Sequence, residues 1–236
     1  VRAGTQVGSS SDKGDLGGQT PTARRLSDLA YERILENLFE RKLPAGAFVS
    51  QSHLVDLLGI PVAPLRDALR VLETEGVLKI HPRSGIEFVK PGLELTKSTY
   101  QFRAILERAA VRVFAEMGDD NLVNAIIQEH RVLMTRIERD GLDPVGLVEI
   151  EHMEARLHDS IIGILANPLI ENSFKRMHNY LRLVRVERRL TPPIALRSLR
   201  EHMAILEACK ARDPDAAEAA LQAHFNAALQ RHMGIY

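Results

Sequence analysis

Apolar residues first fall into a regular pattern at Leu26, Leu29, Ala30, Ile34, Leu35 and Leu38, spaced as one face of a helix, until Pro44-Ala-Gly46 interrupts it. Ser50 is placed to cap a short helix from Gln51 to Leu58 that Gly59 closes, and a second short helix is expected from about Ala63 to Glu75, ahead of Gly76. The connection between them is about four residues, as a helix-turn-helix requires. The β-prone runs Val77-Leu-Lys-Ile80 and Ile86-Glu-Phe-Val89 flank His81-Pro-Arg-Ser-Gly85 and predict a hairpin. Helix, two short helices and hairpin, in that order, is the layout of a winged helix-turn-helix.

Beyond Pro91-Gly92 the pattern is helical throughout. Helices are expected over Leu95 to Met117, Asp120 to Arg139, Val145 to Leu165, Leu169 to Arg189, Pro193 to Ala211 and Pro214 to Met233. Asp143-Pro144, Asn167-Pro168, Thr191-Pro192 and Asp213-Pro214 each set a capping side chain before a proline that suits the first turn, where its missing N–H is not needed. Short connections imply antiparallel neighbours. Residues 1–22, rich in Gly, Ser, Thr and Asp, hold too few apolar side chains to offset the entropy of ordering and are expected to form a flexible tail. The fold class expected is mainly α: a winged helix-turn-helix over 23–91 and an all-helical antiparallel bundle over 92–236.

Composition adds two constraints. The 236 residues suit two domains, and an aromatic share of 5% with no Trp favours helical packing over a β-sandwich. The 31 basic and 31 acidic residues cancel, so a surface for a polyanion must come from arrangement rather than excess. Cys209, the sole cysteine, excludes an intrachain disulfide. With nothing like a signal peptide and no apolar run long enough to span a bilayer, the expected location is the cytoplasm, with no membrane partner.

In a helix-turn-helix the second helix lies in the major groove with its first turn at the base edges, so its cationic residues matter most; here they are Arg66 and Arg70, with Asp67 between. A solvated face, with Arg70 paired to Asp67 or Glu73, is the alternative. The stretch from Gly59 to Leu78, Gly-Ile-Pro-Val-Ala-Pro-Leu-Arg-Asp-Ala-Leu-Arg-Val-Leu-Glu-Thr-Glu-Gly-Val-Leu, resembles the DNA-binding domain of the GntR family, as do Leu43-Pro-Ala-Gly46 and Pro82-Arg-Ser-Gly85. The resemblance implies that Arg66 contacts operator DNA and that Arg83 and Gly85 in the wing approach a minor groove or phosphate. Arginine favours that narrow, negative groove, and a bare glycine permits close approach. Pro61-Val62-Ala63 stands where the family usually has Ser-Arg-Thr, so a capping hydroxyl and one base-reading arginine are missing and sequence readout is expected to differ.

The helical part resembles the FCD effector domain of the FadR-type subgroup. Three stretches carry this: Tyr100 to Ala110 with Arg103 and Glu107; Glu154-Ala-Arg-Leu-His158 followed by Ala166-Asn-Pro-Leu169; and Glu201-His202 with Ile205-Leu-Glu-Ala208, closing with Ala220-Leu-Gln-Ala-His224. Glu154 and His158, four apart, project from one helix face. His202 and His224 sit on the last two helices, with Asp213 midway in the turn between, so they fall at matching depth. Three imidazoles and a carboxylate suit Zn²⁺, Ni²⁺ or Mn²⁺ with positions left for water or an effector carboxylate. Glu154 departs from the subgroup's usual Asp, and its extra methylene moves the carboxylate outward. Arg103 is expected to grip an acidic effector, or else to pair with Glu107. His152, His178 and His232 are left unassigned, and Arg182 and Arg185 either line the cavity or face solvent.

The function this implies is a homodimeric regulator that reads a double-stranded, palindromic operator, with a small carboxylate effector relieving repression. Two other classes remain open. The same ligands would serve a metal-dependent enzyme, although the chain has no H-E-x-x-H and only Glu149-x-x-His152 of a paired di-iron motif. A helical dimerisation module without an effector is the third.

Overall fold

The computed structural model describes residues 25–186 and 190–233. The expected tail over 1–22 lies outside the described residues, as does the expected end of a helix at Arg189.

The amino-terminal part is α1 (Leu26–Phe39), β1 (Phe48–Val49), α2 (Gln51–Leu58), α3 (Val62–Thr74), β2 (Leu78–His81) and β3 (Gly85–Phe88). Ser50 caps α2 by accepting from the His53 amide at 3.1 Å, and Gly59 closes it in the left-handed region at φ +64°. Sequence pattern does not reveal β1. Two residues offer no alternation to read, and the strand exists because Phe48 and Val49 pair antiparallel with Glu87 and Ile86, completing a sheet of order β1-β3-β2. Ala30, Ile34, Leu54, Leu65, Leu72 and Phe88 close a core between the helices and this sheet, each worth about 1.5–3 kcal/mol for the larger side chains.

The rest is helical: α4 (Leu93–Met117), α5 (Asp120–Asp140), α6 (Pro144–Gly163), α7 (Pro168–Val186), α8 (Pro192–Lys210) and α9 (Pro214–His232). Asp143 accepts from the Gly146 amide at 2.7 Å, Asn167 from Leu169 at 3.0 Å and Asp213 from Ala216 at 2.9 Å. Thr191 is the exception among the expected caps and makes no side-chain bond to α8. Pro193, at the second helical position, lacks one of the two amides a capping side chain usually satisfies, while Ile194 keeps the other. Val111, Phe114, Leu157, Ile161, Ile205, Leu221 and Phe225 form the second large core, in which α4 packs along α9 and α9 along α8. Helix α7 belongs to both cores. Leu181 and Met177 lie in the bundle, whereas Leu183 lies in the core of the winged part, so that core draws on a residue far from the first 91.

The cap at Asp213 sets the register of α8 against α9. Asp213→Ala is expected to cost about 0.5–2 kcal/mol, read as a lower midpoint of thermal unfolding; an unchanged midpoint would remove the cap from the account.

Candidate metal centre and DNA-facing helix

His158 on α6, His202 on α8 and His224 on α9 meet in the bundle interior, each about 1% exposed. Asp213 does place the last two at equal depth: their ring centroids are 4.7 Å apart, and those of His158 lie 5.6 Å from His202 and 5.5 Å from His224. Glu154, one turn before His158, is 4% exposed, and one ligand atom from each of the four falls within 4.8 Å of the others.

What these rings offer is decided by their outward nitrogens. His158 Nδ1 bonds Glu107 Oε2, and His224 Nδ1 donates to Glu201 Oε2 at 2.9 Å. His202 Nδ1 meets His130 Nε2 at 3.2 Å, while His130 Nδ1 lies 2.8 Å from the carbonyl of Ile126. A carbonyl only accepts, so His130 donates through Nδ1 and its Nε2 accepts from His202 Nδ1–H. Each of the three rings thus gives its Nδ1 proton away and turns Nε2 inward. All three Nε2 atoms are buried and have no hydrogen-bond partner. The bare Nε2 lone pairs of neutral His202 and His224 face the Glu154 carboxylate, an arrangement that repels unless a proton or a cation lies among them.

Electrostatics sharpen this. Burial pushes His202 and His130 down to about 4, which keeps both neutral at physiological pH. Burial and Arg103 also press His158 down, but Glu107 and Glu154 outweigh them and raise it above the ordinary histidine value. Glu154 is desolvated, yet Arg185 and His158 hold its carboxyl well below the usual range. Its Oε1 accepts from Arg185 Nη2 at 2.5 Å and Arg103 Nη1 at 3.4 Å, and its Oε2 lies 3.2 Å from His202 Nε2. The added methylene of glutamate therefore leaves the carboxylate between the imidazoles and the two guanidiniums.

Arg103 is 1% exposed and bound to Glu107 at 2.6 Å, the alternative pairing weighed above, with its guanidinium 4.8 Å over the Phe225 ring. His152 is exposed, His178 is half-buried, and His232 approaches the Tyr100 hydroxyl at 3.2 Å. Residues the sequence reading passed over are Glu107 as the tether of His158, Glu201 as the tether of His224, and His130. The last left a signal: it interrupts the apolar stripe Val123, Ile126, Ile127, Leu133 and Ile137 of α5, where a histidine has no place without a polar partner.

On α3, Leu65, Ala68, Leu69 and Leu72 face the core, leaving Arg66, Asp67 and Arg70 exposed. Arg66 Nε donates to Gln51 Oε1 of α2 at 3.2 Å. Pro61 precedes the helix without a side-chain cap, as the missing serine implies. Arg83 is exposed at the wing tip with φ +67°. Gly85, at φ +136°, is required by the fold itself, since a Cβ there would lie 2.6 Å from the Val49 carbonyl and 2.8 Å from the Phe48 ring.

Residues 26–88 match the family described as bacterial regulatory proteins, gntR family, and residues 98–227 match the FCD domain. Among curated proteins the chain is 23% identical over 196 residues to the uncharacterized HTH-type transcriptional regulator YdhC of Bacillus subtilis (strain 168), covering 83% of this chain and 86% of that one. It is 25% identical over 232 residues to the HTH-type transcriptional repressor NanR of Citrobacter rodentium (strain ICC168), covering 87% and 85%. Among solved structures, E. coli McbR/YncC superposes with a TM-score of 0.72 at 17% identity, covering 90% of this chain and 99% of that one. A putative GntR regulator from Rhodococcus sp. RHA1 gives 0.72 at 18% identity, covering 89% and 98%. These structural likenesses establish the fold.

Zn²⁺, Ni²⁺ or Mn²⁺ is expected to raise the thermal midpoint of the protein, His202→Ala to abolish the rise, and His130→Ala to weaken metal affinity by about 10–100-fold. The imidazoles bind a cation only through a bare Nε2, and His158 keeps its proton more tightly than an ordinary histidine. Uptake therefore releases a proton and weakens as pH falls. A shift that ignores pH, or that survives His202→Ala, contradicts the site.

Proposed function

The chain belongs to the gntR family of bacterial regulatory proteins and carries an FCD domain, and on that premise we propose that it is a homodimeric, metal-dependent sensor of a small carboxylate that represses from a palindromic operator. That it is a DNA-binding transcription regulator with an effector domain, and not an enzyme, follows from the family. The metal, the effector class and the residues are the proposal.

The single observation that carries it is the convergence of three buried Nε2 atoms on the Glu154 carboxylate, with one ligand atom from each of the four residues within 4.8 Å of the others. His158, His202 and His224, with Glu154, would hold the ion; three imidazoles and one carboxylate suit Zn²⁺, Ni²⁺ or Mn²⁺. When bound, the ion supplies a Lewis-acid centre with positions open to an oxygen ligand. Charge in the pocket supports an anionic effector. The guanidiniums of Arg103 and Arg185 offset the carboxylates of Glu107 and Glu154, and the Glu201–Arg231 pair balances itself, so a divalent ion leaves two positive charges for carboxylates to neutralise. Arg103 and Arg185 reach an incoming carboxylate by yielding part of their hold on Glu154.

At the other end, exposed Arg66 and Arg70 on α3 contact operator bases or phosphates, and Arg83 with Gly85 brings the wing to the adjacent groove or backbone. One helix-turn-helix reads one half-site, so a palindrome calls for two copies of the chain, in the cytoplasm where the DNA is. Repression agrees with the names of the NanR relatives.

Arg66→Ala is expected to cost about 1–3 kcal/mol of operator binding in a gel-shift titration. Across a panel of organic acids, one or more di- or tricarboxylates should lower the affinity of the metal-loaded protein for its operator and leave His158→Ala unaffected. Wild-type affinity in Arg66→Ala removes that contact; operator binding constant across the acids removes the carboxylate.

A further inference from the structure

Among the described residues, α7 alone gives buried side chains to both large cores. At 3.6 residues per turn, Phe174, Leu181 and Arg185 fall on one side of it and Asn179, Tyr180 and Leu183 on the other. The first side looks into the metal pocket, where Arg185 donates to Glu154 Oε1 at 2.5 Å. The second grips the end of α3. The Tyr180 hydroxyl donates to the carbonyl of Glu75, the residue that ends α3, and occupies the space a side chain at 76 would need. Gly76 sits there at φ +73°, so the position is glycine for two reasons. Asn179 Nδ2 donates to the Tyr31 hydroxyl at 3.0 Å, which donates to Glu75 Oε2 at 2.8 Å. The Arg182 guanidinium lies 3.7 Å over the Phe39 ring of α1.

We infer that α7 is the lever between the two sites: Tyr180 is a positioning residue for the DNA-reading helix, and Arg185 ties its setting to the state of Glu154. The inference rests on the metal reading of the histidine cluster. Glu154 has one carboxylate to share among Arg185, Arg103 and the imidazoles, so a cation that takes it as a ligand weakens its hold on Arg185. A helix is stiff along its axis, because its backbone bonds are internal, and a change at Arg185 reaches Tyr180 less than two turns away. Room for a second setting exists. A cavity of about 400 Å³, lined by Thr74, Glu75, Phe102, Met177 and Tyr180 among others, opens beside the contact. The coupling can be no larger than the difference in metal affinity between the two settings.

Hydrogen exchange on the full-length protein, with and without Zn²⁺, reads this directly at the amides of Glu75, Gly76 and Val77, which close the end of α3. In the wild type metal should change their exchange by about fivefold or more. Tyr180→Phe, which keeps the ring and loses the bond, should reduce that response to less than about twofold with metal uptake unchanged; Tyr31→Phe, which cuts the second tie, should reduce it in part. Metal bound by the wild type with no change at these amides, or a full response in Tyr180→Phe, overturns the lever while leaving the metal site standing. No metal uptake by the wild type, read separately by elemental analysis, overturns the metal reading and the lever with it.

Discussion

Three hydrogen bonds at the outward edges of three imidazoles, His158 to Glu107, His224 to Glu201 and His202 to His130, set the chemistry of the helical domain. Without them each ring would be free to flip or change tautomer, and the inward nitrogen would be as often a donor as an acceptor. With them the three Nε2 atoms face a common point, beside a carboxylate held in its ionised form by Arg185. Tethered ligand rings of this kind lose little freedom on binding an ion, and the tethers also make the nitrogens more basic. The same arrangement is costly when no cation balances it, which is why it reads as a site rather than as packing.

The buried charges around it argue in the same direction. Buried ion pairs contribute little to stability once desolvation is counted, and an apolar replacement is often as good. Arg103 with Glu107, deep in the bundle at about 1% exposure or less, is therefore poorly explained as a device for holding helices together. In the sensing role proposed above, it fixes Glu107 so that Glu107 can fix His158, and stands with Arg185 as positive charge facing an anion. The apolar cores on either side supply the stability, and α7 contributes side chains to both.

Much of this could be read from the chain because its signals are local. Ser50, Asp143, Asn167 and Asp213 each announce a helix start within three residues, and the spacing of His202 and His224 about Asp213 places two rings opposite each other before any coordinates are known. What escaped depends on partners distant in sequence. Strand β1 exists only through its pairing with Glu87 and Ile86. Thr191 looks like a cap but makes no side-chain bond to α8, where Pro193 removes one of its two usual donors. His130 is 72 residues from the ring it orients, and of the two places open to Arg185, cavity or solvent, its bond to Glu154 on α6 selects the cavity. Glu154 in place of aspartate is the instructive case: the longer arm lets one carboxylate face both the imidazoles and the arginines.

The most direct measurement of the central claim is anomalous diffraction from crystals of the metal-loaded protein, collected on both sides of the absorption edge of the ion. The expected result is one peak per chain, at coordination distance from Nε2 of His158, His202 and His224, with Glu154 turned towards it. A map without that peak, in which ordered water instead bridges the three nitrogens, would contradict the account.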